Sequence, residues 1–167
     1  ALMDDMDASQ LVSHQLGGEF AAVQAVWQQP VHWASWTVAA PIDDVRVALS
    51  GIAHVHIAII NSDEDCLIAG DDAGCEQVVE RIGRARCLRL QYPLAVHVPE
   101  VRQVEAAWRQ LHRRTTHAPR SGRLYSNAFA CAYTADTQTC ARAILEPADR
   151  MLELRRVVLQ SWQDGVR

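Results

Sequence analysis

An α+β fold is predicted by three observations. Between residues 32 and 92, β-branched and aromatic runs alternate with amphipathic segments in the order strand, helix, strand, strand, helix, strand. The second and third strands are separated only by SDED (62–65), the spacing of a hairpin. After residue 92 the apolar spacing becomes helical. The first of these orders is that of a ferredoxin-like βαββαβ unit, in which two helices cover one face of a four-stranded antiparallel sheet. Three regions follow: a helical lead-in over 1–30, the βαββαβ unit over 31–92, and a mainly helical part with one strand over 93–167.

Each element has its own signal. In SQLVSHQLGGEFAAVQAVWQ (9–28), Phe20, Val23, Val26 and Trp27 recur at helical spacing, Gly17 and Gly18 interrupt, and Pro30 ends the run. HWASWTVA (32–39) is rich in strand formers. PIDDVRVALSG (41–51) opens with Pro41, carries Asp43 and Asp44 in its first turn, and closes on Gly51, the pattern of a helix. HVHIAIIN (54–61) and CLIAG (66–70) are the hairpin strands. DDAGCEQVVERIG (71–83) is a helix capped by Asp71 or Asp72 and ended by Gly83. RCLRLQY (86–92) is the fourth strand.

Beyond it, PEVRQVEAAWRQLHRR (99–114) places Val101, Val104, Ala107, Trp108 and Leu111 on one helical stripe. TTHAPRSG is a loop, RLYSNAFA a strand, TQTCARAIL a short helix, and ADRMLELRRVVLQSW (148–162) a last helix stopped by Gly165. His97 stands at the join between the fourth strand and the helix after it, a place where a histidine can serve as a general base.

Composition narrows the chemistry. The chain has 167 residues, a net charge of −4 and about half hydrophobic residues, as in an ordinary globular domain able to bury roughly two-thirds of its unfolded surface. Charges of both signs are interspersed without a basic stripe or an aromatic platform, which argues against nucleic acid. All sixteen basic residues are arginine, so Schiff-base and phosphate-loop lysines are excluded. Cys66, Cys75, Cys87, Cys131 and Cys140 lack metal-site spacing and read as reduced, mostly packed thiols of a cytoplasmic protein. No apolar run reaches membrane-spanning length.

His54 and His56 alternate with Val55 and Ile57, so both are expected on one strand face. Without a third ligand nearby they read as surface or sheet-packing histidines, and no metal is expected. His112 and His117 are expected in solvent. Trp27, Trp33, Trp36, Trp108 and Trp162 are expected to pack in the core.

HVHIAIINSDEDCLIAGDDAGCEQVVERIG, followed closely by LRLQYPLAVHVPEV, resembles the acyltransferase domain of type I fatty acid and polyketide synthases, a malonyl-CoA:ACP transacylase-like domain. In that family a strand ending in Asn leads to a turn, a "vvsGd" strand, a helix, another strand and a histidine-containing loop. The wording is most similar to that of iterative synthases making polyunsaturated fatty acids or enediyne precursors. RLYSN resembles the family's "vvSN" strand, and EPADRMLELRRVVLQSWQDGVR its "sPvrf" to "l.e.Gvr" region. On this resemblance, 1–30 and 93–167 belong to the family's large lobe and 31–92 to its small one.

PLAVHVPEV aligned with "sHaFHsplM" puts His97 on the family's catalytic histidine. The resemblance implies that His97 takes the proton of a serine attacking the thioester of malonyl-CoA, and later activates the phosphopantetheine thiol of an acyl carrier protein. It implies a main-chain carbonyl near Ala143 that orients the ring, and a substrate-selecting tetrapeptide of Leu94, Ala95, Val96 and His97. Val96 stands where malonyl-selective members often carry Phe and methylmalonyl-selective ones Ser; Leu94 departs from the usual His or Tyr. Malonyl-CoA, the carrier protein and the rest of its own synthase are the implied partners. The acyl-CoA and phosphopantetheine take part as reactants, with no bound metal or redox cofactor.

The nucleophile is not matched. SHQLGGEFAA (13–22) resembles the family's G-H-S-x-G-E elbow, but Gln15 occupies the serine position and Gly18 is an extra residue before Glu19. An elbow needs a buried strand feeding the turn, whereas MDASQLV is polar and helical. Ser13, Ser35, Ser50, Ser121 and Ser126 have no elbow chemistry either. No match is found for the family's oxyanion-hole glutamine segment or its malonate-binding arginine. The chain alone is therefore expected to be inactive, as part of an acyltransferase domain. A non-catalytic ferredoxin-like docking or assembly module is the alternative, and a small regulatory ligand-binding domain a third.

Overall fold

Trp33–Val38 (β1), Val55–Ile60 (β2), Cys66–Asp71 (β3) and Cys87–Arg89 (β4) form a sheet in the order β4-β1-β3-β2, and each neighbouring pair is antiparallel. The computed structural model describes residues 2–167; Ala1, the first residue of the expected lead-in, lies outside them. Helices Ile42–Leu49 (α3) and Asp72–Ile82 (α4) cover one face of this sheet. Between them and the strands lies a core of Trp36, Val38, Val45, Ile68, Val78 and Val79, with partners from both helices. Burying side chains of this size contributes about 1.5–3 kcal/mol each.

Local chemistry sets these boundaries. Asp71 caps α4 by accepting the Gly74 N–H at 3.0 Å, which settles the choice between Asp71 and Asp72, and Gly83 at φ 104° ends the helix. A bulge in β2 between Ile57 and Ile59 leaves Ala58 as the extra residue. The bulge turns Ala58 and Ile59 toward the same face, while Val55 and Ile60 remain with α3 and α4.

The opposite face of the sheet is covered by Ala21–Trp27 (α2), by the segment around His97, and by two further helices, Glu105–His112 (α5) and Thr137–Ala148 (α6). This second core joins Leu16, Val23, Trp27, Trp33, Ala95, Val98, Val101, Trp108 and Leu145. Leu2–Ser9 (α1) and a π-helical turn over Leu11–Gln15 precede α2.

Four elements differ from the sequence expectation. The stripe expected as one helix over 99–114 begins as a 3-10 helix, Pro99–Val104, and becomes α-helical only at Glu105. Val98, Val101 and Val104 are three residues apart and so share one face at the tighter period; Val98 and Val101 are fully buried there. The strand expected over RLYSNAFA is a hairpin of Leu124–Ser126 (β5) and Cys131–Tyr133 (β6). Ser126 ends β5 because its Oγ accepts the Ala128 N–H at 3.1 Å and draws the chain into a turn. The helix expected from residue 148 starts at Leu154 (α7, Leu154–Gln163), after Leu152–Glu153 (β7) has added a fifth, parallel strand beside β2. The fourth strand is shorter than expected, three residues at Cys87–Arg89.

Trp162 is 59% exposed on α7 rather than packed in the core. His112 is half-buried, stacked on Trp108 at 5.3 Å, instead of standing in solvent. No helix among the described residues is long and apolar enough to cross a membrane.

Candidate functional site

His97 is held by the C-terminal end of α6. Its N–H donates to the Ala148 carbonyl at 2.7 Å, and its Nδ1 lies 2.6 Å from the Pro147 carbonyl oxygen. The last carbonyls of a helix have no partner within it and accept from elsewhere. Two neighbouring ones here take the backbone and the ring of a single residue. His97 has φ +62°, a left-handed conformation that costs a side-chain-bearing residue energy and is kept where its surroundings over-determine it. Those surroundings are the buried Ala95, whose N–H donates to the Leu16 carbonyl at 2.7 Å, and the buried Val98.

The orienting carbonyl is Pro147, and not Ala143 as expected from the sequence. Proline has no N–H, so at position 147 it leaves the carbonyl four residues earlier, that of Ala143, without its helical donor. Ser126 supplies the replacement: its Oγ donates to the Ala143 oxygen at 3.0 Å. Ala143 therefore fastens β5 to α6, while Pro147 faces His97.

A carbonyl oxygen only accepts, so Nδ1 carries the hydrogen of that bond and Nε2 is the nitrogen able to take a proton. His97 lines a cavity of about 380 Å³ together with His56, Arg46, Leu49, Pro99 and Met151. Of the expected selecting residues, Ala95 is fully buried in the core. Leu94 and Val96 are half-buried and packed against the same core.

A second polar cluster, not foreseen from the sequence, adjoins this cavity. Glu100 is 5% exposed, and its Oε1 accepts from Trp27 Nε1 at 2.9 Å and meets His56 Nε2 at 3.0 Å. Burial alone would push the Glu100 carboxyl up. The hydrogen bonds from His56 and Trp27 and the facing imidazole outweigh burial, and hold it below the usual glutamate value. Its other oxygen, Oε2, is buried without a hydrogen-bond partner. Glu100 lies three residues past His97, so this cluster ties the histidine segment to β2 and α2. The only sequence signal was an acid in the first turn of a predicted helix, which ordinarily faces solvent.

The other expected residues fall elsewhere. His54 has φ +60° and packs on the Trp27 ring at 4.6 Å, and no group of three or more metal-binding side chains occurs among the described residues. In the elbow-like stretch, Leu11–Gln15 is a π-helical turn with no strand leading into it, and His14 Nδ1 is 3.3 Å from Glu19 Oε2. Ser13 lies in that turn, Ser35 is buried inside β1, Ser50 follows α3, and Ser126 is engaged with Ala143. The cysteines are all free.

No family model and no curated protein matches the chain. Solved structures do. The acyltransferase domain from the second module of the salinomycin polyketide synthase is 26% identical with a TM-score of 0.64, over 87% of this chain and 35% of that one. A malonyl-transacylase in complex with its type II polyketide synthase acyl carrier protein superposes with a TM-score of 0.71 at 15% identity, over 87% and 49%. The malonyl-CoA:acyl carrier protein transacylase of Xanthomonas oryzae pv. oryzae gives 0.66 at 18% identity, over 87% and 48%. The chain thus has an α+β fold shared with malonyl-CoA:acyl carrier protein transacylases and polyketide synthase acyltransferase domains, and it spans between a third and a half of their length.

Proposed function

We propose that this chain is part of an acyltransferase domain that moves malonyl, or a related extender acyl group, from CoA to the phosphopantetheine thiol of an acyl carrier protein. His97 is its acid and base. The observation that carries this reading is the Nδ1 contact of His97 with Pro147, which leaves Nε2 as the proton acceptor at a cavity. The likeness of fold supports it.

In this reading a serine hydroxyl attacks the thioester carbonyl of malonyl-CoA as Nε2 of His97 takes its proton. The CoA sulfur departs and receives that proton. The carrier-protein thiol then gives its proton to Nε2 and attacks the seryl ester, and the departing serine oxygen takes that proton back from Nε2. The Pro147 carbonyl needs only to hold the ring, since a main-chain acceptor fixes a tautomer as well as a side chain does. The serine lies outside these 167 residues, and residues 31–92 are the ferredoxin-like lobe of the domain. Leu94 and Val96 shape the acyl pocket, and the acyltransferase is of the iterative-synthase kind.

A second reading, a non-catalytic docking or assembly module, is favoured by one observation. On α7, Leu154, Val158, Leu159 and Trp162 are 41–59% exposed, an apolar face suited to a protein partner.

Intact-mass analysis after brief exposure to malonyl-CoA tests both. The complete polypeptide should gain one malonyl group, and His97→Ala should abolish the gain, while the 167-residue chain alone stays unmodified. A His97-dependent adduct on the chain alone would show that it contains a nucleophile. Loading of the complete polypeptide that ignores His97→Ala overturns the catalytic reading.

A further inference from the structure

His97 sits in a stretch held at both ends. Upstream, the Ala95 N–H donates to the Leu16 carbonyl, and at His97 itself the N–H donates to the Ala148 carbonyl, each at 2.7 Å. Downstream, Val98 and Val101 are fully buried, but apolar contacts carry no direction. The directed tie on that side is the buried Glu100, whose Oε1 accepts from Trp27 Nε1 at 2.9 Å and faces His56 Nε2 at 3.0 Å. Arg102, the next charged residue, is exposed and stands 3.8 Å from Asp149. Taking a carboxylate out of water is costly, and an apolar side chain at position 100 would join the same core without that cost. What the carboxylate adds is direction.

We infer that Glu100 is a positioning residue for His97: its two donors fix the far end of the segment, so that the ring keeps Nδ1 on the Pro147 carbonyl and Nε2 free at the cavity. Two features connect the ends. Pro99 lies between them, and its ring locks one of the intervening backbone angles. His97 is left-handed at φ +62°, a conformation that persists where both flanks are fixed. Freed at Glu100, the residue can relax to an ordinary conformation and its ring can leave Pro147. The inference deepens the acyltransferase reading and rests on it for the reaction that the ring serves.

The geometry separates position from charge. Both donors meet the same oxygen, so in Glu100→Gln the amide oxygen can take that place and accept from both, with the amide nitrogen where Oε2 now lies without a partner. Glu100→Asp keeps the charge but is one carbon shorter, which draws the acceptor back by about 1.5 Å. Positioning therefore ranks Glu100→Gln above Glu100→Asp, and an electrostatic role ranks them the other way.

The test measures these two variants and Glu100→Ala in two ways. In imidazole 15N spectra of the 167-residue chain, wild type and Glu100→Gln should show one neutral His97 form, protonated at Nδ1, and Glu100→Asp and Glu100→Ala a mixture of both tautomers. In malonyl loading of the complete polypeptide, Glu100→Gln should stay within about threefold of wild type in kcat, whereas Glu100→Asp and Glu100→Ala should lose about 10- to 100-fold, with KM for malonyl-CoA within about threefold throughout. Should Glu100→Ala fail to fold, Glu100→Asp against Glu100→Gln decides alone. Glu100→Asp as active as Glu100→Gln, or a single Nδ1-protonated His97 in every variant, overturns the inference. If the ring signals follow Glu100 as stated while the complete polypeptide forms no His97-dependent adduct, the acyltransferase reading alone falls.

Discussion

Nδ1 of His97 lies 2.6 Å from the Pro147 carbonyl oxygen, while Nε2 of His56, on the wall of the same cavity, lies 3.0 Å from the Glu100 carboxylate. The two rings are thus held by opposite nitrogens. His97 offers Nε2, a proton acceptor, and His56 offers Nδ1. A backbone acceptor adds no charge beside His97, and a buried carboxylate adds a full one beside His56, so two rings of the same chemistry stand in different electrostatic surroundings.

This arrangement predicts tautomers. Proton-coupled 15N spectra of the neutral rings should show His97 protonated at Nδ1, the less common form in free histidine, and His56 protonated at Nε2. Finding His97 protonated at Nε2 would remove its capacity to act as a base toward the cavity.

Pro147 and Ser126 should be energetically coupled through the Ala143 carbonyl. Ser126→Ala leaves the Ala143 carbonyl unpaired and should cost about 1 kcal/mol. In the background of Pro147→Ala, the restored N–H at 147 pairs with Ala143, and the same substitution should cost about 1 kcal/mol less, losing only the contact with the Ala128 N–H. A double-mutant cycle in chemical denaturation should therefore give a coupling of about 1 kcal/mol; additive effects would show that the hydroxyl is not replacing a helical donor.

Much of the fold was legible because periodicity and caps report local preference. β1 through β4, α3 and α4 follow from alternating apolar runs punctuated by Pro41, Gly51, Asp71 and Gly83. What stayed hidden depends on distant contacts. β7 has two residues and exists only because β2 offers an edge. The split of the 99–114 stripe into 3-10 and α turns is decided by where Val98 and Val101 meet the second core. The position of His97 was legible from its place after the fourth strand. Its orienting carbonyl was misplaced by four residues because any residue can offer a carbonyl. Glu100 was invisible as a buried group, since nothing in PEVRQV marks the acid as facing inward.

At Gly74, α4 lies tightly against Val55 of β2 and against Ile52. A Cβ there would lie 2.6 Å from Val55 Cγ2 and 3.0 Å from Ile52 Cγ2, and these branched side chains have little rotamer freedom with which to yield. Alanine normally stabilises a helix interior by about 1 kcal/mol over glycine. Overpacking costs about 1–3 kcal/mol, so Gly74→Ala should destabilise on balance. A raised denaturation midpoint would mean that the helix moves off the sheet at little cost.

The thiols should react in an order set by burial. Burial pushes Cys66 up to about 11 and Cys75 up to about 12, with Asp65 adding to the first and Asp72 and Asp71 to the second. Cys131 is exposed. At about pH 8 iodoacetamide should modify Cys131 in the folded chain, and reach Cys66 and Cys75 only with denaturant. Rapid native labelling of Cys75 would mean that α4 opens locally.

Glu100 should give the chain an acid-sensitive element. Its folded carboxyl is held below the ordinary value of 4.5 by the hydrogen bonds that outweigh its burial. A lowered folded pKa means that the folded state releases the proton more readily than the unfolded one. The resulting stability is fully present above about 4.5 and is lost as pH falls from there through the folded value. Asp5, Asp136 and Asp164 are also lowered, so the wild-type acid slope is shared. The difference between wild type and Glu100→Gln isolates the buried residue: the gap in unfolding free energy should be largest near neutrality and shrink below pH 4.5. Glu100→Ala, which strips both His56 and Trp27 of their acceptor, should cost more, about 2–4 kcal/mol at neutral pH. A gap for Glu100→Gln that stays constant down through the acid range would mean that the carboxylate contributes by shape alone.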